Sequence, residues 1–202
     1  MAGAYIGIIN DQLIVAGGSW FPNGRTGEKT YTDRILSYDF ASKTWQQVGT
    51  LPARRAHGAA VVRGQELICI GGQDKDNAMA TVWRIRISDK AASVDSLPDL
   101  PHAMSFLAAT IARDTVYAAA NKGSDSGTHH FYTLTAGSDK WQTLAPLPGP
   151  KRFGAKLITQ NDGEFTALYL IGGKGGESGT TYLKDGFKYN IKKAAWKAIT
   201  DY

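Results

Sequence analysis

The sequence predicts an all-β fold made of four consecutive four-stranded antiparallel units, near residues 3–52, 53–101, 102–148 and 149–202. Three observations carry this. A glycine pair closing an apolar run recurs along the chain, a tryptophan and a later proline keep one offset, and every repeat divides into four short apolar stretches between turn residues.

The glycine pair gives the period. Gly17-Gly18 ends Leu13-Ile14-Val15-Ala16, Gly71-Gly72 ends Leu67-Ile68-Cys69-Ile70, and Gly172-Gly173 ends Leu168-Tyr169-Leu170-Ile171. After Val116-Tyr117-Ala118 the pair reads Ala119-Ala120, and the four marks recur every 48 to 54 residues. A fixed period of this length is the signature of a repeat architecture. A double glycine at a strand end fits a point where backbones approach closely or φ turns positive.

The second mark holds the register. Trp45 stands seven residues before Pro52 and Trp141 seven before Pro148, while Val94 fills the tryptophan slot seven before Pro101. Trp196 opens the same segment in the last repeat. The ring is expected to pack between neighbouring units, being too large to leave out of a core.

The strands come third. In the second repeat they are expected at Gly58 to Val62, Glu66 to Ile70, Val82 to Ile87 and from about Val94. Short polar turns such as Asn10-Asp11-Gln12 and Arg63-Gly64-Gln65 suit tight hairpins between the first two strands. Helical periodicity is absent throughout.

Composition bounds the function classes. Glycine is abundant, with 23 residues in 202, and a single cysteine, Cys69, rules out an internal disulfide framework. Cys69 lies in an apolar run and is expected to be a buried, inert thiol. No apolar run approaches the length of a membrane span. The start Met1-Ala2-Gly3-Ala4-Tyr5 lacks a basic segment before an apolar one, so no secretory signal is visible. Net charge is +5, concentrated in 149–202, where nine Lys/Arg face five Asp/Glu. Those cations are scattered and not interleaved with aromatics, which describes a solvated face rather than a nucleic-acid surface. An anionic small ligand stays open.

The glycine pair, the third-strand Ser37-Tyr38-Asp39, the tryptophan and the following Leu-Pro and arginine together resemble the kelch repeat, which builds β-propellers. A narrower resemblance is to the N-acetylneuraminate (sialic acid) epimerase family, in its cyclically permuted mutarotase branch. It rests on Gly3-Ala4-Tyr5-Ile6-Gly7, Phe21-Pro22, Glu28-Lys29, Tyr31-Thr32-Asp33, His57-Gly58-Ala59 and Cys69-Ile70-Gly71-Gly72. It continues through Ser96-Leu97-Pro98-Asp99-Leu100-Pro101, Pro148-Gly149-Pro150-Lys151-Arg152 and Asp185-Gly186-Phe187-Lys188-Tyr189. The resemblance implies four blades of a six-bladed kelch propeller, a cofactor-free isomerase and a sialic-acid-like ligand. It also implies a periplasmic or exported location if the chain belongs to a longer family member; the sequence itself leaves the compartment open. The chain departs from the pattern at Ala119-Ala120, at Val94 and at Phe106, where a small or amide residue is expected.

Candidate site residues lie on the loops. In an up-and-down blade the loop between strands two and three opens on the same face as the link from strand four to the next blade. The former are Ser19 to Tyr31, Gln73 to Ala80, Asn121 to His129 and Lys174 to Tyr182. The links carry Arg54, Arg55, His57, His102, Lys151 and Arg152. Arginine forks onto a carboxylate with two parallel hydrogen bonds, so Arg54, Arg55 and Arg152, with Lys151, are candidates for holding the carboxylate of an anionic sugar. Mutarotation needs one acid and one base, and His57 and Glu28 are the candidates. Trp20 and Phe21 offer stacking surfaces. The competing reading of the arginines is structural, because arginine after Leu-Pro is part of the kelch pattern and ties neighbouring blades.

Other chemistry is disfavoured. Adjacent His129 and His130 would point to opposite faces of a strand and have no third ligand at metal spacing. The glycine-rich Lys174 to Thr180 precedes a strand, with no helix to cradle phosphate. Copper-radical chemistry needs a tyrosine, a cysteine and histidines together, which a lone buried Cys69 does not offer. Three functional classes follow: a sialic-acid mutarotase, a non-catalytic kelch module that binds a protein or glycan or associates with itself, and an inactive remnant of a longer propeller.

Overall fold

A computed structural model describes residues 1–24, 27–120, 129–175 and 181–199. All regular structure among them is β, and four sheets have four antiparallel strands each. The chain divides into two compact units, Met1–Ser105 and Phe106–Tyr202.

In the first unit one sheet pairs Tyr5–Ile9, Gln12–Ala16, Arg34–Asp39 and Thr44–Thr50 in chain order. The next pairs Ala59–Arg63, Glu66–Ile70, Val82–Ser88 and Ala91–Leu97 in the same order. The first hairpin closes on Ile9 opposite Gln12, with Asn10 and Asp11 at φ of 50° and 57°. Two consecutive left-handed residues match the twist of the flanking strands, and Asn and Asp accept that conformation at low cost.

The strand alternation sorts each sheet into two faces. Tyr5, Ile9, Ile14, Ala16 and Ile35 of the first sheet form one core with Leu67, Cys69, Trp83, Ile85 and Ile87 of the second. Burial of each large apolar side chain contributes about 1.5–3 kcal/mol. Cys69 is fully buried, which pushes its thiol well above the ordinary range, as the apolar run around it implies. The glycine pair sits where these sheets meet. A Cβ on Gly71 would lie 2.6 Å from the Met104 carbonyl oxygen, and one on Gly72 would lie 2.4 Å from the Tyr5 hydroxyl.

The opposite face of the first sheet is a correction to the sequence reading. Trp45 is 53% exposed rather than packed between units. It stacks at a tilt on Tyr38, 5.0 Å between centroids, in a row that runs Ile8, Leu13, Tyr38, Trp45; a parallel row runs Ile6, Val15, Leu36. By register these positions match Ala60, Val62, Leu67, Cys69, Trp83, Ile85 and Val94 of the second sheet, the residues that pack on the first. The physical reason for Trp45's exposure is therefore its face: it projects from the side of the first sheet that no second-sheet residue covers.

In the second unit one sheet pairs Ala108–Ala112, Thr115–Ala120, His130–Thr135 and Gln142–Thr143. The other pairs Lys156–Asn161, Thr166–Ile171, Gly186–Asn190 and Ala195–Ile199. Here the aromatic slots fill the core. Trp141 is buried, and Phe131, Tyr189 and Trp196 meet with centroids 4.9 to 5.0 Å apart. Ala108 pairs with Ala119 as Ala59 pairs with Ile70, so Ala120 occupies the backbone position of Gly71, one residue later than the sequence suggested.

One backbone feature repeats in all four sheets. Two residues before the first strand begins, the chain turns left-handed, at Gly3 (φ 66°), His57 (61°), Phe106 (53°) and Gly154 (64°). Glycine takes this conformation freely, whereas a side chain there adds strain of about 1–2 kcal/mol. The small residue expected in place of Phe106 reflects this geometry.

Candidate functional site

The long loops of the first unit build a cleft. Leaving the second strand, the chain forms a short hairpin in which Ser19 pairs with Tyr31 and Trp20 with Thr30. The corresponding loop of the second sheet is pinned by bridges from Gln73 to Ala56 and Ala78. Between them lies a cavity of about 510 Å³ lined by Glu28, Lys29 and Tyr31 from the first loop, Arg54 from the link, and Asp74, Lys75 and Asp76 from the second loop.

His57 stands behind one wall of this cleft. Its Nε2 is 2.7 Å from Lys29 Nζ and 3.3 Å from Ser19 Oγ. Tyr31 meets the imidazole edge-on, with centroids 6.5 Å apart, and Lys29 Nζ lies 5.3 Å from the Tyr31 ring centroid. Gln73 Nε2 donates to the Tyr31 hydroxyl at 3.2 Å. Burial, and then the Lys29 charge, hold the His57 pKa below its ordinary 6.5, so the ring is neutral at pH 7. A neutral imidazole accepts at Nε2, which makes Lys29 the donor. Space beneath the ring is tight, since a Cβ on Gly3 would lie 2.4 Å from His57 Nδ1.

Glu28 faces the cleft from an exposed position and pairs with Lys75. That hydrogen bond, and then the lysine charge, hold its carboxyl below the ordinary range. Asp74 turns into its own loop, accepting the backbone N–H of Asp76 at 3.0 Å and of Asn77 at 2.8 Å.

The arginines separate into two kinds. Arg54 is exposed on the cleft wall and makes no ion pair among the described residues. Arg55 is 2% exposed, donates to Thr81 Oγ1 at 2.6 Å and to the Gly71 carbonyl at 3.4 Å, and lies 4.2 Å over the Trp83 ring. Its backbone N–H donates to Thr32 and its carbonyl accepts from Gly18, so one residue joins the first sheet's loop to the second sheet. In the second unit Arg152 is 3% exposed, grips Asp185 with two bonds of 2.8 and 2.6 Å, donates to the Gly172 carbonyl at 3.0 Å and faces Phe187. Both guanidinium groups thus cap the first carbonyl of a glycine pair. Arg55 and Arg152, expected as carboxylate holders, are therefore placed as buried ties to neighbouring carbonyls and side chains, whereas Arg54 lies on the open cleft wall.

The remaining candidates divide similarly. Lys151 is exposed in the second unit, and His102 is exposed in the first. Trp20 is 40% exposed and Phe21 43%, but Trp20 lines a separate hollow of about 310 Å³ with Met1, Thr32, Arg34 and Leu36. His129 Nδ1 lies 2.7 Å from the Leu147 carbonyl, and His130 stacks on Tyr132 with a 2.8 Å bond to its hydroxyl. No three His, Cys, Asp or Glu converge as a metal site among the described residues. No helix there is long and apolar enough to cross a membrane. The loops expected at Asn121 to His129 and Lys174 to Tyr182 fall largely outside the described residues, as does the glycine-rich stretch after Gly175.

Lys29 escaped the sequence reading. Its partner is 28 residues away, and the available signal was indirect: Glu28-Lys29 within a loop whose end re-pairs as a strand.

No family model matches the chain. It is 33% identical over 109 residues to the N-acetylneuraminate epimerase of Brucella suis, which covers 48% of this chain and 28% of that protein. It is 23% identical over 206 residues to the Kelch-like protein terF of Aspergillus terreus, covering 94% of this chain and 42% of that one. The chain thus matches less than half the length of either relative. Among solved structures it superposes on YjhT with a TM-score of 0.77 at 16% identity, over 98% of this chain and 70% of the other. The fold is the all-β kelch propeller fold, and the sequence is similar to N-acetylneuraminate epimerases.

Proposed function

We propose that this chain carries the ligand cleft of a kelch mutarotase acting on an N-acetylneuraminate-type sugar acid. The observation that supports it most is that a carboxylate, Glu28, and two cations without a carboxylate partner among the described residues, Lys29 and Arg54, line one cleft of about 510 Å³. The similarity to proteins named N-acetylneuraminate epimerase supports the choice of substrate class.

Anomer exchange requires little machinery. A base takes the proton of the anomeric hydroxyl while the ring oxygen receives one, and the ring C–O bond breaks to leave an open-chain ketone. Reclosure on the other carbonyl face returns both protons. Glu28, kept ionised by Lys75, is the base. A water polarised on the cationic wall supplies the proton to the ring oxygen. His57 presents its Nε2 to Lys29 rather than to the cleft, so it acts behind the wall.

The test follows sugar freshly released in the α form by proton NMR. The chain is expected to accelerate exchange above the spontaneous rate, and Glu28→Gln to slow it about a hundredfold, the lower end for general base catalysis. A spontaneous rate with saturable sugar binding would replace this reading with that of a non-catalytic glycan-binding module. No binding at all would remove the sugar.

A further inference from the structure

We infer that Lys29 and Arg54 form the anion subsite of this cleft, taking the carboxylate of the sugar acid, and that His57 is the positioning residue that holds Lys29 for it. This rests on the reading of the cleft as a sugar-acid site.

The cations of the unit differ in how they are compensated. Lys75 is paired with Glu28, and Arg63, Arg84 and Arg86 share Glu66 and Asp95. Arg55 is buried on carbonyl, hydroxyl and ring. Lys29 differs. Its ammonium is fixed by the imidazole Nε2 at 2.7 Å and by the face of Tyr31, both uncharged, and it lines the cleft. A neutral acceptor orients an ammonium without cancelling its charge, which leaves N–H donors and a full positive charge for an anion. Arg54 on the same lining adds a planar fork suited to carboxylate. Of the acidic groups on the lining, Glu28 is paired with Lys75 and Asp74 accepts from its own loop, so neither cancels the charge of Lys29 or Arg54.

The backbone supports the same assignment independently. His57 occupies the left-handed position that Gly3 and Gly154 fill in two other repeats. Strained side chains at such positions concentrate at functional sites. Here the strain places one imidazole against one lysine.

Binding separates the possibilities. N-acetylneuraminate and its methyl ester, which lacks the anionic charge, are titrated calorimetrically against the chain and its Lys29→Met, Lys29→Arg, His57→Ala and His57→Asn variants, with melting temperature as the folding control. Lys29→Met is expected to weaken the free acid about tenfold or more, within the range for a charged hydrogen bond, and to leave the ester within twofold. Lys29→Arg should retain most affinity. His57→Ala should lose affinity for the acid, and His57→Asn, which accepts a left-handed backbone and keeps an acceptor, should restore part of it. If the parent chain binds the acid and Lys29→Met binds it equally well, or if acid and ester bind the parent alike, the subsite is wrong while the sugar reading stands. If the parent binds neither, the sugar reading itself falls and takes the subsite with it.

Discussion

His57 shows how a single residue can carry information that no pattern displays. From sequence it was one histidine after an arginine pair, and its candidacy for proton transfer rested on residue type. The structure adds a left-handed backbone, a buried ring and a lysine at 2.7 Å. None of these follows from local propensity, because Lys29 and Ser19 arrive through long-range pairing. The loops that bring Glu28 and Arg54 to the cleft lining were legible as the turn-rich stretches between strands. A pH dependence follows from the buried ring. The folded pKa lies below 6.5, whereas the unfolded chain titrates near 6.5, so between those values the unfolded state binds more protons. Stability from this group is therefore fully present above 6.5 and declines as pH falls through that value. The groups that pack on the ring include Lys29, whose charge adds to this, with Ser19 and Tyr31. Urea midpoints at pH 7.5 and 5.5 should differ less for His57→Asn than for the parent. Equal differences in both proteins would show that His57 does not titrate with folding.

At the scale of elements, the strands and hairpins were legible and the rivets between them were not. The second-repeat strands fall within a few residues of expectation: the first begins at Ala59 and the fourth at Ala91, three before Val94. Alternation and turn residues determine these locally. The links are different, because an arginine after Leu-Pro looks alike whether it meets solvent or a carbonyl. Arg54 and Arg55 are adjacent, yet one is exposed and the other 2% exposed, since consecutive extended residues point to opposite sides. Arg152 serves the fourth sheet as Arg55 serves the second, with Asp185 standing where the second has Thr81. Removing it leaves Asp185 and the Gly172 carbonyl without their donor. Arg152→Ala should thus cost about 3 kcal/mol, the lower end for breaking a buried pair, seen as a lower urea midpoint at unchanged slope. A variant as stable as the parent but defective in sugar binding would return Arg152 to the ligand.

At the scale of the whole molecule, the apolar rows of the first sheet are the main liability. Ile6, Ile8 and Trp45 are each more than half exposed on a face equivalent to the one the second sheet buries. Contiguous apolar surface of this kind promotes association. The chain is expected to self-associate in sedimentation velocity, and Ile6→Lys with Ile8→Lys to shift it toward monomer without lowering its melting temperature. A parent that stays monomeric at all concentrations would count against this. The repeat sequence predicted a covered tryptophan because the pattern reads alike on a sheet whose face is covered and on one whose face is not. The recurring left-handed residue ahead of each first strand has a further consequence. Because all four lead-ins share a left-handed residue, they act as comparable sockets: two hold a histidine and a phenylalanine, Gly3 is closed by the His57 ring, and Gly154 is open. A single codon change at Gly154, where a Cβ would meet no atom within 4 Å, would install a new side chain without redrawing the sheet behind it. Chemistry on such a scaffold can migrate from repeat to repeat during evolution, with backbone strain as its toll and the hydrogen-bonded framework left intact.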